Sequence, residues 1–235
     1  MIPVKLIGLI GGMSWESTIP YYRHLNESVK AQLGGLHSAR ILLYSVDFFD
    51  MERYLRTADW KALGDALANV AKTLEIAGVD FIVLATNTMH RVAPAIEAAV
   101  GIPLLHIVDP TASEIKSAGF KTVGLLGTQF TMEQDFFKVR LRERHGIEVI
   151  IPNQIDRNLV HRVIFEELCL GKFANESRAQ FRRIMKDLVA QGAEAIILGC
   201  TEFAMLVDSS DSTVPLFDTT RLHACAAAQR ALAEA

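Results

Sequence analysis

Apolar and polar positions follow two rhythms along this chain. Short apolar runs, at Leu6–Ile10, Ile41–Val46, Phe81–Leu84, Leu104–Val108, Thr122–Leu126, Val149–Ile151 and Ala195–Leu198, have the length and composition of β-strands. The longer segments between them repeat apolar residues every three or four positions. From Trp60 to Ala77, the residues Leu63, Leu67, Val70, Leu74 and Ala77 line one face of a predicted amphipathic helix. Phe181, Ile184, Met185 and Leu188 do the same over Phe181–Ala190. Each helix leads through a glycine, Gly78 or Gly192, into the next strand, as expected where a helix is capped in the left-handed region. Strands alternating with helices predict an α/β fold of parallel sheets covered by helices.

The pattern also returns on itself. Ile7-Gly8-Leu9-Ile10-Gly11-Gly12 reappears as Val123-Gly124-Leu125-Leu126-Gly127-Thr128, an offset of 116. Phe81-Ile82-Val83-Leu84-Ala85-Thr86-Asn87-Thr88 reappears as Ala195-Ile196-Ile197-Leu198-Gly199-Cys200-Thr201-Glu202, an offset of 114. Parallel strands resemble one another by composition, but two matches at nearly one offset point to a duplication of ~115 residues. A duplication predicts two pseudo-symmetric lobes, each a parallel sheet flanked by helices. The expected division is residues 1–107 plus 216–235, with the C-terminal helix completing the first lobe, and residues 108–215 for the second. Ligands of open parallel sheets bind beyond the carboxyl ends of the strands. The expected site is therefore a cleft between the lobes, ringed by the turns at Gly11–Ser14, Thr86–Thr88, Gly127–Thr128 and Cys200–Glu202. Thr86 and Cys200, equivalent by the repeat, are expected on opposite walls.

Composition narrows the function. Half of the 235 residues are hydrophobic, 22% are charged and the net charge is −3, values of a globular protein with ample core. No polybasic run suggests a nucleic acid or anionic membrane as partner. The longest apolar stretches, such as Phe81–Ala85, fall far short of the ~20 residues of a spanning helix. The start, Met1–Gly12, lacks the charged beginning and long apolar centre of a signal peptide, so a cytoplasmic location is expected. The three cysteines, Cys169, Cys200 and Cys225, form no CxxC pair, which suggests neither a disulfide framework nor a thiolate zinc site.

The turns carry the candidate chemistry. Cys200 follows Gly199 at a strand-to-helix turn, where unpaired backbone N–H groups and a helix dipole are expected to lower the pKa of a thiol. A low-pKa thiolate serves as nucleophile or base, and the seven histidines show no cysteine-protease signature to favour the nucleophile. Cys169 and Cys225 lie in helical patterns and read as packing residues. Gly8, Gly11 and Gly12 do not spell GxGxxG and no GxxxxGK[ST] occurs, so nucleotide cofactors are not expected. Clustered metal ligands are likewise missing from the sequence, and no metal is expected. The glycines instead suit close approach of backbone amides to a small anion. Ser14, Asn87, Thr88, Thr128 and Thr201 offer hydroxyl and amide groups to an amino-acid carboxylate or ammonium, and each is equally a common helix-capping residue. Met13 joins this substrate-binding set by its place in the turn, although methionine, like Met89, is most often core filler.

Gly11-Gly12-Met13-Ser14, Thr86-Asn87-Thr88-Met89-His90 and Leu198-Gly199-Cys200-Thr201-Glu202 resemble the signatures of the aspartate/glutamate racemase family. Gly34-Gly35-Leu36-His37-Ser38 and Glu166-Glu167-Leu168 fit as well, so the resemblance spans essentially the whole chain. It implies two pseudo-symmetric lobes, no pyridoxal phosphate, no metal and a homodimer. It also implies two cysteines on opposite faces of the substrate α-carbon, one removing the proton and the other returning it. The second is Cys200; at the position of the first stands Thr86, a departure shared by some members. A threonine hydroxyl has no accessible anion near neutral pH, so the implied racemisation is asymmetric. The expected activity is cofactor-independent racemisation of an acidic amino acid, with Lys172 or Arg53 as the cation for its distal carboxylate. Two alternatives stand beside it: a single-cysteine decarboxylase or cis-trans isomerase of the same superfamily, and a non-catalytic amino-acid-binding protein.

Overall fold

The computed structural model describes residues 4–233. They form two compact units, one from residues 4–106 with 223–233, the other from Ile107–Leu222.

The first unit is built from β1 (Leu6–Gly11), α1 (Trp15–Leu33), β2 (Arg40–Ser45), α2 (Phe48–Arg56), α3 (Trp60–Ile76), β3 (Phe81–Leu84), α4 (Ala93–Glu97) and β4 (Leu104–Leu105). Its strands form one parallel sheet in the order β2-β1-β3-β4, with Ile7 beside Phe81 and Leu6 beside Arg40. The two inner strands are continuously apolar because helices cover both faces of a parallel sheet. β3, Phe-Ile-Val-Leu, is buried at every position. The sequence periodicity of α3 translates directly into packing: Leu63, Leu67, Ala71 and Leu74 are buried, and Asp59 caps the helix by accepting the Ala62 N–H at 2.9 Å. Each leucine so buried contributes ~1.5–3 kcal/mol of apolar burial.

The second unit contains α5 (Val108–Ser117), β5 (Thr122–Gly127), α6 (Gln129–Glu133), α7 (Asp135–His145), β6 (Glu148–Ile150), α8 (Gln154–Glu166), α9 (Asn175–Ala190), β7 (Ala195–Gly199) and β8 (Leu216–Asp218). Its parallel sheet runs β6-β5-β7-β8, the same order as the first. β1 corresponds to β5 and β3 to β7, the pairs that the sequence repeat matched. The chain then enters α10 (Thr219–Leu232). Ala224, Ala227, Ala228 and Ala231 of that helix pack into the first unit's core with Ile7, Leu9, Tyr21 and Leu25.

Three expectations need correction. The strand expected over Leu104–Val108 stops at Leu105, and Val108 opens α5, whose first turn accommodates Pro110 without loss of a hydrogen bond. β8, which pairs with β7 through Ile197 and Phe217, was not expected as a strand. The helix expected over Phe181–Ala190 begins earlier, at Asn175. Gly78 and Gly192 both adopt positive φ, 83° and 104°, just past their helices, as expected. Among the described residues no helix is long and apolar enough to cross a membrane.

Candidate active site

In the first unit the candidate residues gather at the carboxyl ends of the neighbouring strands β1 and β3. Met13 and Ser14 lie buried between β1 and α1. The Ser14 carbonyl accepts hydrogen bonds from Ser17 Oγ at 3.1 Å and Thr18 Oγ1 at 3.0 Å, and Thr18 Oγ1 in turn accepts the Gly12 N–H at 2.8 Å. The glycine-rich turn is thus fastened by the first turn of the helix that follows it. Ser14 is the N-cap residue of α1 by position but makes no side-chain cap bond.

Thr86, Asn87 and Thr88 follow β3 and are buried. The Thr86 carbonyl accepts a hydrogen bond from His90 Nδ1 at 2.7 Å, and because a carbonyl only accepts, the His90 ring carries its proton on Nδ1. His90 packs edge-on against His106, with ring centroids 4.5 Å apart, and lies near His223 at 5.9 Å. His223 Nε2 donates to the Leu105 carbonyl at 2.8 Å, which leaves Nδ1 to accept the Tyr21 hydroxyl at 2.9 Å. Three buried histidines, none of them given a role from sequence, therefore stand by the Thr86 turn, and backbone carbonyls direct the protons of two of them, His90 and His223.

In the second unit Gly127 and Gly199 pair across β5 and β7, which puts Thr128 and Cys200 at adjacent strand ends. Thr128 caps α6: its Oγ1 accepts the Thr131 N–H at 3.2 Å, so the capping reading of this residue is satisfied. Cys200, Thr201 and Glu202 are all buried. Both donors converge on one carboxylate oxygen: Cys200 Sγ donates to Glu202 Oε2 at 3.0 Å and Thr201 Oγ1 donates to it at 2.7 Å. Cys169 Sγ reaches Oε1 of the same carboxylate at 3.8 Å.

This geometry overturns the expected acidity of Cys200. Burial pushes its thiol well above the ordinary range, and the negative charge of Glu202 pushes it the same way. The helix dipole invoked for the opposite effect is also slight here. Only a three-residue 3₁₀ turn, Phe203–Met205, follows Cys200, and a five-residue one, Thr88–Val92, follows Asn87. Glu202 was legible only as a letter of the Gly-Cys-Thr-Glu motif, with no role attached. Its position two residues from the cysteine, within one tight turn, was the available signal.

Beyond Cys200 the loop to β8 is pinned by Asp211, whose carboxylate accepts from Arg178, Arg182 and the Asp208 amide. Burial raises the pKa of Asp211, but these donors outweigh burial and hold it at about 2. The two proposed cations are less committed to a site. Lys172 is exposed just after Gly171, and Arg53 is exposed on α2 with its guanidinium 5.4 Å from the Tyr54 ring centroid. Cys169 sits in the 3₁₀ turn Leu168–Leu170 and Cys225 in α10, each partly buried. Among the described residues no group of three or more histidine, cysteine or acidic side chains could hold a metal ion.

The broad-specificity amino-acid racemase RacX of Bacillus subtilis (strain 168) is 27% identical over 219 residues, covering 92% of this chain and 93% of that protein. A crystal structure of a candidate Asp/Glu racemase from Yersinia pestis is 58% identical, covers 97% of this chain and 100% of its own, and superposes with a TM-score of 0.90. That of an aspartate racemase homologue from Pyrococcus horikoshii OT3 is 35% identical over 97% of this chain and 99% of its own, with a TM-score of 0.82. With residues 10–227 matching the Asp/Glu/Hydantoin racemase family, and with two like-ordered parallel sheets to carry that match, the chain belongs to this family of isomerases.

Proposed function

We propose that this protein is a cofactor-independent racemase of acidic amino acids, aspartate or glutamate, in which Cys200 exchanges the α-proton. The observation that carries the reading is a buried thiol at the end of β7 hydrogen-bonded to a buried carboxylate, Cys200 Sγ to Glu202 Oε2 at 3.0 Å. Such a pair is an acid/base group sheltered from water. The hard step is the weak acidity of a C–H bond beside a carboxylate, and fixed donors around the developing enediolate are the main means of easing it. In this reading Cys200 removes or returns the proton on one face of the α-carbon. Thr86, the equivalent residue of the first unit by the repeat, serves the other face, directly or through a water. Met13, Ser14, Asn87, Thr88, Thr128 and Thr201 surround the substrate's α-carboxylate and ammonium, and Lys172 meets its distal carboxylate. Neither pyridoxal phosphate nor a metal takes part.

A homodimer belongs to the same proposal. β2 is an edge strand, yet Leu42, Leu43 and Tyr44 on it are substantially exposed, as are Trp15, Ile19 and Tyr22 along α1. Leu43 and Thr18 of α1 both approach Gly11, so the exposed strand and the exposed helix adjoin. Edge strands this apolar are ordinarily covered. A second copy, presenting the same patch about a twofold axis, supplies such a cover.

The experiment is incubation with L- and D-aspartate and L- and D-glutamate in deuterium oxide, followed by chiral chromatography and mass spectrometry. A racemase incorporates α-deuterium and inverts the substrate, and Cys200→Ser, which keeps the shape and forfeits the accessible anion, loses the exchange while remaining folded. Decarboxylation, binding without exchange, or undiminished exchange by Cys200→Ser would each displace this reading.

A further inference from the structure

The family reading leaves Glu202 without a task, although it is among the most buried acidic side chains of the protein, 2% exposed. A carboxylate is taken out of water only where donors replace the water. Among the donors here are Thr201 Oγ1 and Cys200 Sγ, both on Oε2, and Cys169, on the 3₁₀ turn Leu168–Leu170, approaches Oε1. Glu202 Oε2 is aimed at the one sulfur that ends a central strand.

We infer that Glu202 is a positioning residue for Cys200, which holds the thiol's proton while the sulfur exchanges another with the substrate. The inference rests on reading Cys200 as the acid/base group. Glu202 takes the proton from Sγ, and the thiolate so formed takes the proton of the Cα–H bond. The electron pair of that bond stays on the substrate as an enediolate. The result is a thiol, a neutral Glu202 and an anionic intermediate, so one negative charge has moved from the carboxylate to the substrate and none has been created. In the reverse direction the thiol gives its proton to carbon, and Glu202 returns the held proton to sulfur. Burial makes such a partner necessary, because a desolvated thiol beside a carboxylate does not ionise to bulk water near neutral pH.

The test is Glu202→Gln, followed by two independent readouts. The ionisation of Cys200 is titrated by thiolate ultraviolet absorbance, taken as the difference from Cys200→Ser in the same background. The α-deuterium exchange is measured across pH. Removing the negative charge is expected to shift the Cys200 midpoint to lower pH and, at the same time, to slow exchange ~10²-fold or more. Water let in by lost packing would acidify the thiol in the same direction, so Glu202→Asp, which keeps the charge, separates loss of the carboxylate from loss of burial. An unchanged midpoint, or exchange with an unchanged rate and pH profile, would overturn the assignment. Glu202→Asp guards against a variant that fails to fold. It keeps the charge, so its midpoint should stay near that of the wild type and its exchange should exceed that of Glu202→Gln; equal loss in both variants would overturn the inference. Should the wild type exchange no amino acid, the racemase reading falls, and the titration still reports whether Glu202 governs the Cys200 proton.

Discussion

Gly199→Ala is the sharpest perturbation of the Cys200 turn that leaves every polar group in place. A Cβ built on Gly199 lies 2.7 Å from the Leu126 carbonyl oxygen and 2.9 Å from Leu125 Cδ1, where ordinary contacts begin near 3.4 Å. The leucine methyl can swing aside, but the carbonyl belongs to β5, the strand that pairs with β7 through this very stretch. The strands must part by several tenths of an ångström at the residue before Cys200. Overpacking of this kind costs ~1–3 kcal/mol. For a chain of this size each kcal/mol lowers the melting temperature by ~2–4 °C, so a fall of roughly 2–12 °C is expected by differential scanning calorimetry. Catalysis should suffer more than stability, because a misplacement of about 1 Å can cost ~10²-fold in rate. Gly101→Ala is the control: its new methyl group would meet only Glu75 Oε1, at 3.4 Å. If Gly199→Ala melted and exchanged like Gly101→Ala, the claim that Gly199 lets β7 deliver Cys200 would be wrong.

Thr86→Cys should place a second thiol where the repeat expects one and raise inversion relative to exchange, whereas the wild type should deuterate one enantiomer faster than it inverts it. Equal exchange and inversion for both enantiomers, before and after the substitution, would refute the one-sided mechanism. For the dimer, Leu43→Lys on β2 should halve the mass in sedimentation equilibrium, since it places a charge in the apolar patch; an assembly unaffected by it uses another face.

Much of this architecture could be read from local chemistry. α3 begins at the expected Trp60, and β3 coincides with Phe81–Leu84, because periodicity, the Asp59 cap and the Gly78 stop all agree there. The repeat foretold two similar parallel sheets because it fell on the two inner strands of each. Ile107 and Val108 misled because β-branched apolar residues favour strands, yet both are buried here at the start of a helix. β8 escaped notice because three residues, Leu-Phe-Asp, are too few to show alternation. The acidity of Cys200 was misjudged for a different reason. A strand-to-turn pattern reveals where a thiol sits, but not that a carboxylate two residues on folds back against it. Likewise only the fold brings His106 and His223 to His90, which itself stands four residues beyond Thr86.

The return of α10 to the first unit has a consequence for how the protein is made. Residues 107–222 are one uninterrupted stretch, able to collapse as soon as they leave the ribosome. The first unit leaves earlier but is unfinished: Ile7, Leu9, Tyr21 and Leu25 await Ala224, Ala227, Ala228 and Ala231, and Tyr21 awaits the ring of His223. Its nucleus can form, but its last wall arrives more than a hundred residues late, after the other unit has been synthesised. The half that is translated first is thus the half that is completed last, and in the interval its core stands open.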